Sequence, residues 1–403
     1  MSFGGPAGQI ALLERELIER RGWIDHDDFR QGLALATLLP GPEALKLVIF
    51  CGWRLHGTRG GLSAGLGFLL PSILILLALS FVFDAFGTLP VVAGAVAGLG
   101  SVVVALIAHA LGRLAPRLIS QRWLVAVAFV AAIAFIGLQA SFLWIVCGAL
   151  LAGVLHAVMR RPAAADEPSI WGRLHLLAGV SRWHGPRWLA GGVIGWGVSA
   201  MSLWALAGGA DSMPLRVMRE LTKVAVSAFG GAYPALAYAQ TRFVDQLGWI
   251  SPEQAAAGLA LAETTPGPLV IVLQFFGFSA ALQSPAPFAP ALAAVLGSLA
   301  ASIAIFLPSF VLMLGAAPFA GVLRRDPRIF DAMAAVTAVT LVAIVDVGWR
   351  FARAVLWSDG LPQWLLIAMA TVAFGLLFVR RLGLLWLVLG GAALGALRAL
   401  LPV

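Results

Sequence analysis

Apolar runs of about 20 residues recur along the whole 403-residue chain, the length a helix needs to cross a hydrocarbon core roughly 30 Å thick. Strand-type alternation is absent, which argues against a transmembrane barrel. The runs predict spans near 62–83, 90–112, 122–138 and 142–159, then an isolated one at 188–208, then four more near 288–316, 329–349, 362–379 and 383–401. Ahead of each group of four lies a shorter paired section, interrupted once by Pro40-Gly41-Pro42 and once by Pro266-Gly267-Pro268. The expected fold class is all-α, a polytopic membrane protein with about 11–13 membrane segments, the front pairs being free to cross or to re-enter.

The two groups are copies of one unit. At a shift of 226 residues, Phe3-Gly4-Gly5 meets Phe229-Gly230-Gly231, Gly22-Trp23-Ile24 meets Gly248-Trp249-Ile250, and "GLALA" at 32–36 meets "GLALA" at 258–262. With Ala11, Ala237 and the two Pro-Gly-Pro triplets, 15 of 40 ungapped positions are identical. After a further 11-residue shift, Leu70-Pro71-Ser72 meets Leu307-Pro308-Ser309. Such self-similarity marks a duplicated structural unit. The expected organisation is a first repeat at 1–159, a cytoplasmic linker at 160–187, a connecting span at 188–208 and a second repeat at 209–403. One span between two even-numbered units turns the second unit upside down. Paired units of opposite topology are common in secondary transporters, whose sites form near the midplane from broken helices.

Loop charge bears on the same expectation, because cytoplasmic loops collect Lys and Arg. One side of the first unit receives Arg54, Arg59, Arg113, Arg117, Arg122, Arg160 and Arg161, while the opposite loops, 84–89 and 139–141, contain no basic residue. Carried through the extra span, the rule places Arg324, Arg325, Arg328, Arg380 and Arg381 in the cytoplasm and the uncharged 279–287 loop outside. Arg350, Arg353 and Arg398 then lie outside and dissent.

Composition agrees with the span pattern. The chain is 61% hydrophobic and 11% charged, against about 45–50% and 25% for soluble domains. The net charge of +8 is dispersed over short loops, unlike the one-faced basic patch of a nucleic-acid binder. Of 27 basic residues only Lys46 and Lys223 are lysines. Cys51 and Cys147 lie far apart in apolar stretches, so neither a disulfide framework nor a metal pair is expected. The N-terminus lacks a cleavable signal pattern. No HExxH, Walker A or GxSxG motif occurs, so no cofactor, metal or enzymatic activity is expected.

The candidate chemistry lies at the two breaks. Two prolines flanking a glycine stop a helix, and in hydrocarbon the freed backbone groups survive only where they are buried in protein or line a wet cavity. A helix restarting after Pro42 or Pro268 presents unpaired N–H groups at the positive end of its dipole, an anion socket. The candidate substrate-binding set is therefore Gly41, Pro42, Glu43, Lys46, Thr264, Thr265, Gly267 and Pro268, with Thr37 as the first-unit hydroxyl and Lys46 as a full positive charge one turn into the helix. Gly4, Gly5, Pro40, Gly230, Gly231 and Pro266 are expected to shape the turns. The bland alternatives are a ligand-free turn, threonines bonded to nearby helical carbonyls, and Glu43 serving as a cap or as the partner of Lys46. Glu43 and Glu263 are the candidate proton carriers, since ionisable groups at membrane depth are costly and usually functional.

Other polar groups weigh less. Arg216, Arg219 and Lys223 share a stripe that reads as a solvated face or an electropositive vestibule. Asp346 sits one turn from Arg350 and reads as an ion pair. Asp25 to Asp28, "DHDD", reads as a solvated helix start, and the pairs Gly61/Gly65, Gly94/Gly98 and Gly191/Gly195 as close-packing faces.

The stretches "FGGPAGQIAL", "LLPGPEA", "GWRLHGTRGG", "FLLPS", "FGGAYPALAY", "GWIS" and "LALAETTPGPL" with "QFFGF" resemble the chromate ion transporter family, in its long two-domain form. The resemblance implies a multi-pass protein of the bacterial inner membrane that exports chromate, a tetrahedral mimic of sulfate, with its halves in opposite orientation. Sulfate or other oxyanion uptake or exchange is the alternative within the class; a channel or a scaffold is the alternative outside it. Partners are the oxyanion, the lipid bilayer and a second copy in a homodimer, with no nucleic acid. Members resembling this chain often carry Gln near Lys46, and they generally have a helix ahead of the first FGG, which the first repeat is expected to lack.

Overall fold

The computed structural model describes residues 5–119, 121–138, 140, 142–160, 184–207, 211–227, 232–320, 327–358, 361–379 and 384–400. The first unit comprises α1 (Gly5–Glu14) with a π-helical end (Arg15–Arg20), α2 (His26–Leu38), α3 (Glu43–Phe86), α4 (Pro90–Ile119), α5 (Arg122–Ala132) and α6 (Phe142–Arg160). A single helix, α7 (His184–Leu206), follows. The second unit comprises α8 (Met213–Ser227), α9 (Ala232–Gln240) with a π-helical end (Thr241–Gln246), α10 (Pro252–Thr264), a short 3₁₀ turn (Leu269–Ile271) leading into α11 (Val272–Gln283), α12 (Pro290–Ala316), α13 (Pro327–Leu356), α14 (Trp364–Val379) and α15 (Leu384–Leu400). Five of these helices are long and apolar enough to cross a membrane. Large apolar side chains such as Trp144, Phe129 and Val193 stand exposed on their outer faces, as lipid-facing surfaces require.

The repeat is written into the backbone residue by residue. The π-helical ends of α1 and α9 fall at positions 226 apart, as do Gly22 and Gly248, with φ of 60° and 59°, and Gly41 and Gly267, also at positive φ. The next helix of each copy is capped at the same place: the Asp25 side chain accepts from the Asp28 amide, and the Ser251 side chain from the Gln254 amide. The "DHDD" segment is thus a helix start. Asp28 also meets Arg54 at 2.6 Å, and no metal cluster exists among the described residues.

Each Pro-Gly-Pro is the tip of a helix hairpin. Gly32, before the first tip, lies against the Phe50 ring after it, and Gly258 lies likewise against Phe275. A straight broken helix would hold such residues more than 20 Å apart. Asp28 and Arg54 close the open end of the first hairpin. The 13 residues of α2 reach only about 20 Å, short of a hydrocarbon core roughly 30 Å thick. At His56 and Gly57 the chain reverses again, and Gly52 packs on Gly60 across that turn. In the second unit Gly277 packs on Gly297 in the same way. The α8 and α9 arms also fold back on one another, Glu220 meeting Arg242 at 2.8 Å.

Packing between units is reciprocal. The last helix of each unit lies on the second full span of the other, α6 on α13 and α15 on α4. Gly94 and Gly98 press on the Gly395 and Gly391 carbonyls, while Gly153 presses on the backbone of Asp331 and Ala332. The repeat-equivalent helices α3 and α12 touch antiparallel, Gly61 beside Leu314 and Gly65 beside Phe310. The pair α4 and α13 does the same, Gly100 beside Val355 and Ile107 beside Gly348.

Two sequence expectations shift. The close-packing face of α7 is Gly192 against Val311, whereas Gly191 faces open space and Gly195 touches only Leu307 at 3.8 Å. One helical position decides this, because each residue turns the contact face by about 100°. The stripe on α8 is largely neutralised: Arg216 and Arg219 both bind Asp211, and Lys223 binds Glu220 at 2.7 Å. Asp346 does pair with Arg350, at 2.8 Å. Cys51 and Cys147 are free thiols, one buried and one exposed. Gly4, Gly230, Gly231 and most of the 160–187 linker lie outside the described residues; Gly5 opens α1.

Candidate functional site: two hairpin tips on the α3/α12 crossing

The first tip is built by Pro40, Gly41 and Pro42. Helix α2 stops at Leu38, Gly41 turns through φ +104°, and Pro42 caps α3, whose first internal bond runs from the Lys46 amide to the Pro42 carbonyl at 3.2 Å. The amides of Glu43, Ala44 and Leu45 precede that bond and so have no partner within the helix. Lys46 is fully buried, and its ammonium donates to the Leu39 carbonyl, the last residue before the break. A cation at a helix C-terminus is favourable, so Lys46 staples the two arms while remaining one turn from the open amides. Glu43 is half-buried, and its charge and that of Lys46 interact without a direct hydrogen bond between them.

The second tip has the same backbone with different chemistry. Gly267 has φ +146°, Pro268 caps the 3₁₀ turn, and the Ile271 amide bonds back to Pro268 at 2.9 Å, leaving the Leu269 and Val270 amides ahead of it. Val272 stands where the first copy has Lys46. Glu263 is buried, with 8% exposure, and makes no hydrogen bond or ion pair among the described residues. Tyr233, on α9, is near enough to feel its charge.

Each tip is seated on a serine of the other unit's Leu-Pro-Ser motif. A Cβ on Gly267 would lie 2.0 Å from Ser72 Oγ, and one on Gly41 would lie 2.3 Å from Ser309 Oγ. Both serines are fully buried at mid-span. Ser72 donates to the Pro266 carbonyl and Gln9 of α1 donates to the Gly267 carbonyl, so the freed acceptors of the second tip are satisfied from the first unit. Gln274 reaches back to the Ile73 carbonyl at 2.9 Å. Ser309 Oγ is buried beside the first tip without a partner among the described residues, as are the Gln9 and Gln274 side-chain oxygens.

The candidate threonines are placed at the tips with their hydroxyls turned to their own helices. Thr37 donates to Leu33, Thr264 to Leu261 and Thr265 to Ala262, at 3.0, 2.7 and 2.8 Å. Gly41, Pro42, Glu43 and Lys46 cluster at one tip, and Glu263, Thr264, Thr265, Gly267 and Pro268 at the other. Gln9, Ser72, Gln274 and Ser309 were not singled out by residue type. The duplicated Leu-Pro-Ser is the signal that finds the two serines; nothing local in the sequence marks the glutamines.

Buried helix-hairpin tips with open amides, inside a shell of lipid-facing helices, define a polytopic α-helical membrane transporter class. The profile of the family described as Chromate transporter matches residues 1–154 and again 215–396, and the chain belongs to that family. It is 31% identical over 315 residues to the "Chromate transport protein" of Pseudomonas aeruginosa, covering 78% of this chain and 69% of that one. It is 27% identical over 402 residues to the "Chromate transport protein" of Cupriavidus metallidurans, covering 98% and 89%. These relatives are named as transport proteins, and the chain is not an enzyme. No solved structure matches the chain.

Proposed function

We propose that the protein carries chromate, or a closely related tetrahedral oxyanion, out of the cytoplasm as a secondary transporter of two inverted repeats. The observation that carries the reading is the pair of buried tips, each presenting unpaired amides at a helix start and each seated on the opposite unit. Backbone N–H groups at a helix N-terminus bind tetrahedral oxyanions by charge and geometry together. The family membership supplies the substrate, as its relatives are named for chromate. The antiparallel contacts between equivalent helices support opposite orientation of the two units. The loop-charge pattern supports a bacterial inner-membrane protein whose first-unit hairpin opens to the cytoplasm.

The two tips take unequal parts. Lys46 and the amides of Glu43 to Leu45 make the first the substrate contact, with Ser309 supplying a hydroxyl that no other described residue uses. The second tip has its carbonyls engaged and carries Glu263, a buried carboxylate without a cation, as the proton carrier. Thr264 and Thr265 join the site when their hydroxyls turn from the helix carbonyls. A membrane potential gives about 2.3 kcal/mol per charge per 100 mV, so a dianion is driven out of a negative interior by roughly twice that, without ATP.

Flux of chromate and of sulfate into proteoliposomes, under imposed potential and pH gradients, tests this. Saturable chromate flux is expected to rise with the potential, and Lys46→Ala is expected to lower it roughly tenfold through loss of a charge-assisted contact. Glu263→Gln is expected to remove the response to pH while leaving the response to potential. Flux indifferent to both gradients and to Lys46→Ala would falsify the mechanism, and sulfate carried in preference to chromate would reassign the substrate.

A further inference from the structure

Away from the tips, a cavity of about 670 Å³ opens between the π-helical end of α9, the first turns of α10 and the last turns of α13. Its lining is neither plainly apolar nor of one charge. Asp245 and Arg350 pair across it, with Asp346 behind them on the same guanidinium. Gln240 lines it with 5% exposure, and its side-chain oxygen is buried without a donor among the described residues. Glu253 and Arg353 also line it; both are exposed, and neither forms an ion pair or hydrogen bond among the described residues. One cavity is thus lined by a buried acceptor that lacks a donor among the described residues, an exposed carboxylate and an exposed guanidinium.

The position of Arg353 indicates the source of that ligand. Along α13, Val345, Trp349 and Arg353 follow at intervals of four, Trp357 comes four residues later just past the helix end, and all are exposed. They form one stripe, apolar toward the helix centre and ending in Trp, Arg and Trp. The Trp349 and Trp357 rings lie 6.5 Å apart across this last stretch, and exposed Trp364 begins the next helix. Exposed tryptophans gathered at the end of a lipid-facing helix mark headgroup depth, where a guanidinium can meet a phosphodiester. A free dianion is a poor match, since the cavity's carboxylates equal or outnumber its guanidiniums.

We propose that this cavity binds the headgroup of a membrane aminophospholipid, one carrying both a phosphodiester and a primary ammonium. Arg353 meets the phosphate, the ammonium donates toward the Gln240 oxygen and the Glu253 carboxylate, and the acyl chains run down the Val345 side of α13. This binding is independent of what the tips transport.

The test uses the full chain reconstituted in vesicles of pure phosphatidylethanolamine, phosphatidylcholine or phosphatidylglycerol, extracted gently and weighed by native mass spectrometry. Phosphatidylethanolamine is expected to be retained roughly tenfold better than the other two, since each lacks the N–H donors of an ammonium and forfeits charge-assisted bonds. Glu253→Gln should bring it down toward phosphatidylcholine, and Arg353→Ala should weaken both. Both residues are exposed, so folding is retained in these variants, while Gln240→Leu serves as the buried third. Equal retention of the three lipids overturns the proposal. A preference unchanged in Glu253→Gln and Arg353→Ala overturns it too, as does displacement of the bound species by millimolar sulfate, which would give the cavity to a free oxyanion.

Discussion

At Gly41 and Gly267 the backbone takes positive φ and the space where a Cβ would stand is filled by a serine oxygen of the other unit. Both demands exclude any other residue, so Gly41→Ala and Gly267→Ala are each expected to lower stability by about 1–3 kcal/mol. Gly22→Ala is the internal control: its φ is +60° but nothing lies within 4 Å, so it should lose only the backbone strain of about 1–2 kcal/mol. Thermal unfolding in detergent compares them, and equal losses at Gly22 and Gly41 would show that the serine contact is immaterial. The serines themselves should differ. Ser72→Ala leaves the Pro266 carbonyl without its donor and is expected to cost about 1–3 kcal/mol, whereas Ser309→Ala removes a hydroxyl that already lacks a partner and should be nearly neutral. If Ser309→Ala nonetheless abolishes chromate flux with stability intact, its hydroxyl belongs to the substrate.

Among elements, the hairpins rely on small residues where two backbones meet. Gly277 faces the Gly297 carbonyl, and a Cβ there would lie 2.5 Å from that oxygen; a backbone atom cannot rotate aside. Gly277→Val is expected to destabilise by about 1–3 kcal/mol through overpacking. By contrast Asp28→Asn, at the exposed end of the first hairpin, should cost no more than about 1 kcal/mol, because a pair half in water contributes little. Unfolding midpoints for the two variants measure the contrast, and a larger loss at Asp28 would move the stabilising contact from the helix faces to the hairpin mouth.

For the whole molecule, the inverted reading makes a topological demand. In a background with Cys51 and Cys147 replaced by Ser, a cysteine at Gly57 closes the first-unit turn and one at Ser284 the equivalent turn of the second. A membrane-impermeant maleimide added to intact cells should label Ser284→Cys and spare Gly57→Cys, which reacts only after permeabilisation. Labelling of both from one side would rule out opposite orientation of the units.

Much of this was legible in the chain because a bilayer leaves few choices. Hydrocarbon thickness fixes the run length of a span, and unsatisfied backbone is so costly there that an interrupted run must fold into something specific. That is why α4, α7, α12 and α13 lie near their expected bounds, and why the 226-residue repeat already paired the two Pro-Gly-Pro breaks. The sequence alone also placed Lys46 and Glu263 at the breaks, since a lone lysine and an unpaired glutamate are conspicuous among apolar neighbours. Only the tertiary structure decided that each break is a hairpin tip and that each tip rests on the other unit's serine. It alone showed that Lys46 turns to Leu39, and that Gln9 reaches Gly267 from 258 residues away. Those outcomes depend on which helix faces cross, and a face turns with every residue, whereas the membrane constrains only length and polarity.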